Sequence, residues 1–185
     1  GINSSGGIII PKLLKALNVE VKKINCIPDG NFAHDPEPLD KNLDQLKEEV
    51  LKSNSDLGIA VDPDVDRLVF VSENGETISE ENTLISCADY ILSKEKGSAV
   101  SNLSSSMGLR DVCKMYGVEY FSSMVGEINV VEKMKSVNAI IGGEGNGGII
   151  YPESHYGRDA LVGIGLLLTS SVSYTHLTLP TTYGV

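Results

Sequence analysis

The chain has 185 residues, 41% of them hydrophobic and 22% charged, with a formal net charge of −10. This is ordinary for a globular domain pair and argues against nucleic acid and anionic membranes as partners, while an acidic balance suits recruitment of a divalent cation. No apolar run approaches the ~20 residues that span a bilayer, and Cys26, Cys87 and Cys113 are odd in number, widely separated and free of any CxxC, as expected of buried thiols in a reducing cytoplasm.

In chain order, Asn3 to Gly7 reads as a loop leading into a helix from Ile8 to Leu17, with Pro11 tolerated in the first turn. Val19 to Ile24 reads as a strand. Cys26 to Pro38 is a Pro- and Asp-rich loop, and Leu39 to Leu51 has helical spacing of Leu39, Leu43, Leu46 and Val50. Two short apolar strands follow, Leu57 to Val61 and Arg67 to Val71, closed by the turn signal Glu73-Asn74-Gly75. A helix is expected from Glu80 to Ser93, and Lys94 to Ser98 marks a boundary after which the pattern restarts. The second half reads as strand 99–102, helix 109–116, a strand near Glu119, helix 127–135, strand 139–141, strand 148–151 and a helix from Asp159 onward. Alternation of strand and helix implies an α/β class, with two tandem small domains built on mainly parallel sheets covered by helices.

Between the two strands of the first half lies Asp62-Pro63-Asp64-Val65-Asp66-Arg67, three carboxylates at alternate positions followed by a guanidinium. Three like charges within about 4 Å would repel by roughly 4 kcal/mol per pair at an effective dielectric near 20, so the arrangement calls for a cation. Oxygen-only donors point to Mg²⁺ or another hard divalent ion, and Arg67 is suited to a phosphate oxygen beside it. An EF-hand would place ligands at Asp62, Asp64, Asp66 and Glu73, but Arg67 replaces the turn glycine and both flanks read as strand. A calcium-binding module and a phosphatase with Asp62 as nucleophile remain alternatives, although a phosphatase loop wants Thr or Val where Asp66 stands.

Gly143-Glu144-Gly145-Asn146-Gly147-Gly148 contains a GxGxxG match. A dinucleotide loop must open a helix, whereas Ile149-Ile150-Tyr151-Pro152 reads as strand. Further on, Arg158 stands beside Asp159 at a helix start, where an oxyanion could bind. Ser104, Ser105 and Ser106 are suited to capping the helix that follows them, and His155 reads as a surface histidine.

The acidic loop, together with Gly142 to Gly148 and Tyr156 to Gly163, resembles the α-D-phosphohexomutases, the family of phosphoglucomutase, phosphomannomutase and phosphoglucosamine mutase. The resemblance covers roughly residues 1 to 170. It implies an intramolecular phosphotransferase, an isomerase of hexose 1- and 6-phosphates that works through a phosphoserine and a hexose bisphosphate. Within it, Asp62, Asp64 and Asp66 would hold Mg²⁺, Arg67 would act catalytically on the phosphate, and Glu144, Gly145 and Asn146 would bind the sugar. Arg158 is a possible phosphate contact. Many relatives have Ser where Asn146 stands and His where Gly148 stands, and Met124 and Glu127 occupy a region that often carries Lys or His.

The resemblance further implies that residues 1–96 form the family's second domain, truncated at its start, and 97–171 the third. The first and fourth domains of the same chain, with the serine and a phosphate clamp, would then be missing, and this chain alone would be inactive. From Val172 the run VSYTHLTLPTTYGV loses helical periodicity and resembles a translated sequencing adapter, so 172–185 is expected to be a non-native tail.

Overall fold

The computed structural model describes residues 1–173 and divides into two compact units, Gly1–Glu80 and a second beginning at Glu81. The tail expectation therefore falls almost wholly outside the described residues, although Val172 and Ser173 still belong to the last helix.

In the first unit, helix α1 (Gly6–Ala16) precedes a long loop, a 3₁₀ turn at Asp40–Asn42, helix α2 (Asp44–Ser53) and strands β1 (Leu57–Val61), β2 (Leu68–Ser72) and β3 (Thr77–Ile78). The expected spacing of α2 is real: Leu43 and Val50 are buried with Val69 and Val71, and Leu46 and Ala60 pack against them. Leu43 nonetheless breaks the expected helix in two. Asn54, at φ 51°, ends α2 in the left-handed conformation that asparagine tolerates.

Several expectations are corrected here. The sheet runs β1-β2-β3 and is antiparallel throughout, with Val61 opposite Leu68. Asp62 to Arg67 is too short for the crossover of a dozen or more residues that a parallel pair requires. Val19 to Ile24 is not a strand; its backbone bonds are local ones at its ends, Val19 N–H to the Leu14 carbonyl and the Gly1 amino group to the Ile24 carbonyl. β-propensity without a neighbouring strand to form a ladder makes no sheet. Pro11 lies inside α1 rather than in its first turn, because the helix starts at Gly6.

The second unit comprises helix α3 (Glu80–Lys94), β4 (Ala99–Asn102), α4 (Gly108–Tyr116), β5 (Tyr120–Ser123), α5 (Glu127–Val137), β6 (Ile141–Glu144), β7 (Gly148–Ile150) and α6 (Ala160–Ser173). Its sheet has the order β5-β4-β6-β7, parallel across the first three strands with β7 antiparallel at one edge. Val100, Val130, Met134, Ala139 and Ile150 form the buried core against α5.

The division between the units lies at Glu80/Glu81, ahead of α3 rather than after it. α3 packs into the second unit: a Cβ at Gly108 would stand 2.3 Å from Ile85 Cδ1, and the Cys87 thiol donates to the Gly163 carbonyl at 3.7 Å. The polar run Lys94 to Ser98 is the short connection from α3 to β4, a loop inside a domain rather than a linker. No helix among the described residues is long and apolar enough to cross a membrane.

Candidate functional site

The acidic loop is built around a carboxylate that folds it. Asp62 follows β1 directly and is fully buried. Its Oδ1 accepts the backbone N–H groups of Asp66 and Arg67, both at 3.1 Å, and its Oδ2 accepts Arg67 Nε at 2.6 Å. To close so tightly the loop puts Val65 at φ 64°, a conformation costly for a β-branched residue and of the kind that clusters at functional sites. Ser5 at the start of α1 adds a hydrogen bond to the Pro63 carbonyl at 2.8 Å.

Burial alone would raise the Asp62 carboxyl pKa, but hydrogen bonds from Asp66 and Arg67 and the guanidinium charge outweigh it, so the group lies below the usual aspartate range. Side-chain oxygens of Asp62, Asp64 and Asp66 lie within 4.8 Å of one another, graded from buried Asp62 through half-buried Asp66 to exposed Asp64. Three oxygen donors carrying three charges, with a single arginine beside them, fit a hard divalent cation such as Mg²⁺. The flanks are the two strands of a hairpin, so the helix–loop–helix of an EF-hand is excluded.

Arg67 is held from a second side by a residue that the sequence did not single out. Its Nη1 donates to Glu37 Oε1 at 3.1 Å. Glu37 sits 30 residues upstream in the Pro-rich loop, and no local spacing signals the pairing.

In the second unit, the strand order changes direction at β4, whose neighbours are β5 and β6. The carboxyl ends of β4 and β6 flank this switch point, where α/β sheets bind ligands. Those ends are Asn102 and Glu144. Glu144 is 4% exposed, and its carboxylate takes three donors: Asn102 Nδ2 at 2.7 Å, Gly126 N–H at 3.1 Å and Arg158 Nη1 at 2.8 Å. Glu144 is thus an anchored group, with three of about four acceptor positions engaged, rather than an open grip.

Gly145, Asn146 and Gly147 turn β6 into β7, and Gly147 at φ 90° supplies a backbone conformation that side chains resist. A strand follows the loop, as expected, which removes the dinucleotide reading. Asn146 is exposed at the tip, its Oδ1 accepting the Gly148 N–H at 3.2 Å, while Gly145 N–H donates to Ser105 Oγ at 2.9 Å.

Arg158 is drawn between two carboxylates, Glu144 and Glu127. Its Nε is 3.5 Å from Glu127 Oε2, and its backbone N–H donates to Glu127 Oε1 at 2.9 Å. The start of α6 is capped by Asp159, whose Oδ1 accepts the Leu161 and Val162 N–H groups, so the place foreseen for an oxyanion beside Arg158 already holds a carboxylate. His155 pairs with Asp159 at 2.9 Å on the surface. Of the three serines only Ser106 bonds the first residue of α4, the Gly108 N–H at 3.4 Å; Ser104 and Ser105 donate to Asn102 Oδ1.

Residues 1–75 match the family described as phosphoglucomutase/phosphomannomutase, alpha/beta/alpha domain II, and residues 79–183 match its domain III. The chain belongs to the phosphoglucomutase/phosphomannomutase family, the α-D-phosphohexomutases. A phosphoglucomutase/phosphomannomutase of Thermococcus kodakarensis is 38% identical over 85% of this chain and 35% of its own length. A Methanosarcina barkeri protein named "probable phosphoglucosamine mutase" is 39% identical over 89% of this chain and 38% of its own. Among solved structures, a phosphoglucomutase/phosphomannomutase family protein from Burkholderia thailandensis superposes with a TM-score of 0.81 at 26% identity, covering 89% of this chain and 37% of that one. The chain thus spans little more than a third of the relatives it matches.

Proposed function

We propose that this chain supplies the metal-binding and sugar-binding domains of a phosphohexomutase that interconverts hexose 1- and 6-phosphates by way of a hexose bisphosphate. The observation that carries the reading is the convergence of the Asp62, Asp64 and Asp66 oxygens within 4.8 Å, beside Arg67. In this reading those carboxylates hold Mg²⁺, which when bound offsets charge on the transferring phosphoryl group. Arg67, fixed by Asp62, orients a phosphate oxygen. Glu144, held ionised-side inward by Asn102, Gly126 and Arg158, shapes the sugar site, and exposed Asn146, able to donate and accept, meets a vicinal pair of hydroxyls.

The phosphoserine and a second phosphate clamp belong to the rest of such an enzyme. Glucosamine phosphate and glucose or mannose phosphates are the substrates that the names of the relatives support. The aspartyl-phosphatase alternative draws little support, since both oxygens of Asp62 are committed to loop hydrogen bonds and the side chain is fully buried.

Titration calorimetry of the chain with Mg²⁺ or Mn²⁺ tests the metal assignment. Binding in the high-micromolar to millimolar range is expected, roughly 4 to 6 kcal/mol. Asp64→Ala, which changes an exposed ligand without disturbing the loop hydrogen bonds, should abolish it; unchanged binding in that variant would remove the assignment.

A further inference from the structure

We propose that Glu37 is a positioning residue for the metal loop, keeping Arg67 turned away from the carboxylates that would receive the cation. The inference rests on the metal reading above.

Three observations carry it. First, Arg67 is gripped at two separate points: Nε by Asp62 Oδ2 at 2.6 Å, Nη1 by Glu37 Oε1 at 3.1 Å. A planar guanidinium held at two of its nitrogens has its orientation fixed, which one contact cannot achieve. Second, the same Nε stands 3.8 Å from Asp66 Oδ1. Without the outward pull from Glu37, a small rotation would let Arg67 close on Asp66 and occupy a candidate metal ligand with its own positive charge.

Third, Glu37 is anchored although it lies in a loop without regular structure. Its N–H donates to Asp35 Oδ1 at 3.2 Å, and its carbonyl accepts the Leu39 N–H and Asn42 Nδ2, both at 2.8 Å. Pro36 and Pro38 on either side restrict the backbone further. The loop thus delivers one half-exposed carboxylate to a fixed place, and Arg67 is what it meets there. As an exposed ion pair it adds little stability, so its use lies in geometry.

Two substitutions separate geometry from simple charge. Glu37→Gln removes the charge; Glu37→Asp keeps it but shortens the reach by one methylene. Calorimetric Mn²⁺ titrations should show both variants weakened about three- to tenfold relative to wild type, and thermal melts should show the fold retained, with Tm within a few degrees. Wild-type affinity in Glu37→Asp with loss only in Glu37→Gln would make Glu37 a remote field charge and overturn the positioning role. Wild-type affinity in both would overturn it outright. Absence of metal binding in the unsubstituted chain would instead fell the metal reading itself, and this inference with it.

Discussion

Asp62 shows how one side chain serves both fold and chemistry. Its depressed pKa means that the ionised form is favoured by folding; the contribution is present above the unfolded value near ~3.9 and is lost as pH falls through the folded value. In metal-free buffer the urea midpoint should therefore drop as pH is lowered from about 4, and Asp62→Asn should flatten that acid limb while lowering the plateau above it. An unchanged acid limb in Asp62→Asn would assign the effect to other carboxylates. Glu144 makes the complementary case. Glu144→Ala would strand Arg158 Nη1, Asn102 Nδ2 and the Gly126 N–H around a new void, at an expected cost of about 2 to 4 kcal/mol by denaturant titration. Glu144→Gln, which keeps the shape but offers one anionic acceptor fewer, should lose less. Activity losses at this position in a full-length enzyme are interpretable only beside such a stability measurement.

The elements around the two loops are held by close approaches that only particular residues permit. On β6, a Cβ at Gly143 would lie 2.1 Å from the Gly148 carbonyl oxygen, a backbone atom across the hairpin that cannot yield cheaply. Gly143→Ala is expected to destabilise the second unit by about 2 to 3 kcal/mol and to displace the Gly145–Gly147 turn, visible as amide shift changes along β6 and β7. Gly117, in contrast, has open space around it, so replacement there tests only the left-handed backbone at φ 67° that closes α4. Substitution with Asn, which tolerates that conformation, should be nearly neutral. The contrast separates a glycine needed for contact from one needed for conformation.

At the scale of the whole molecule, the chain covers about a third of the relatives it matches, 35% and 38% of the two named above. Phosphoryl transfer depends on positioning and charge stabilisation supplied from several directions at once. The chain by itself is therefore expected to show no mutase turnover with glucose 1-phosphate, mannose 1-phosphate or glucosamine 6-phosphate, even with Mg²⁺ and the matching bisphosphate. ³¹P NMR of such incubations checks this. Sustained turnover that Asp62→Ala abolishes would locate a nucleophile in these residues and revive the aspartyl-phosphate alternative.

The local chemistry was legible in the residues themselves. Alternating carboxylates between two apolar runs declare a cation loop between strands, and strands Leu57–Val61 and Ala99–Asn102 fall where the apolar patterns put them, because burial on a sheet is a short-range periodic signal. Partners distant in sequence left no such trace. That Glu37 meets Arg67, that Glu144 is sealed by Asn102, Gly126 and Arg158, and that α3 joins the second unit were decided by packing, since pairings across tens of residues depend on how the chain closes. Sheet direction belongs with these: the strand pattern is the same for either sense, and the hairpin sense of β1 and β2 came from the length of the loop between them. Val19 to Ile24 shows the same limit from the other side, for strand-forming residues become a strand only where the fold brings a neighbour alongside.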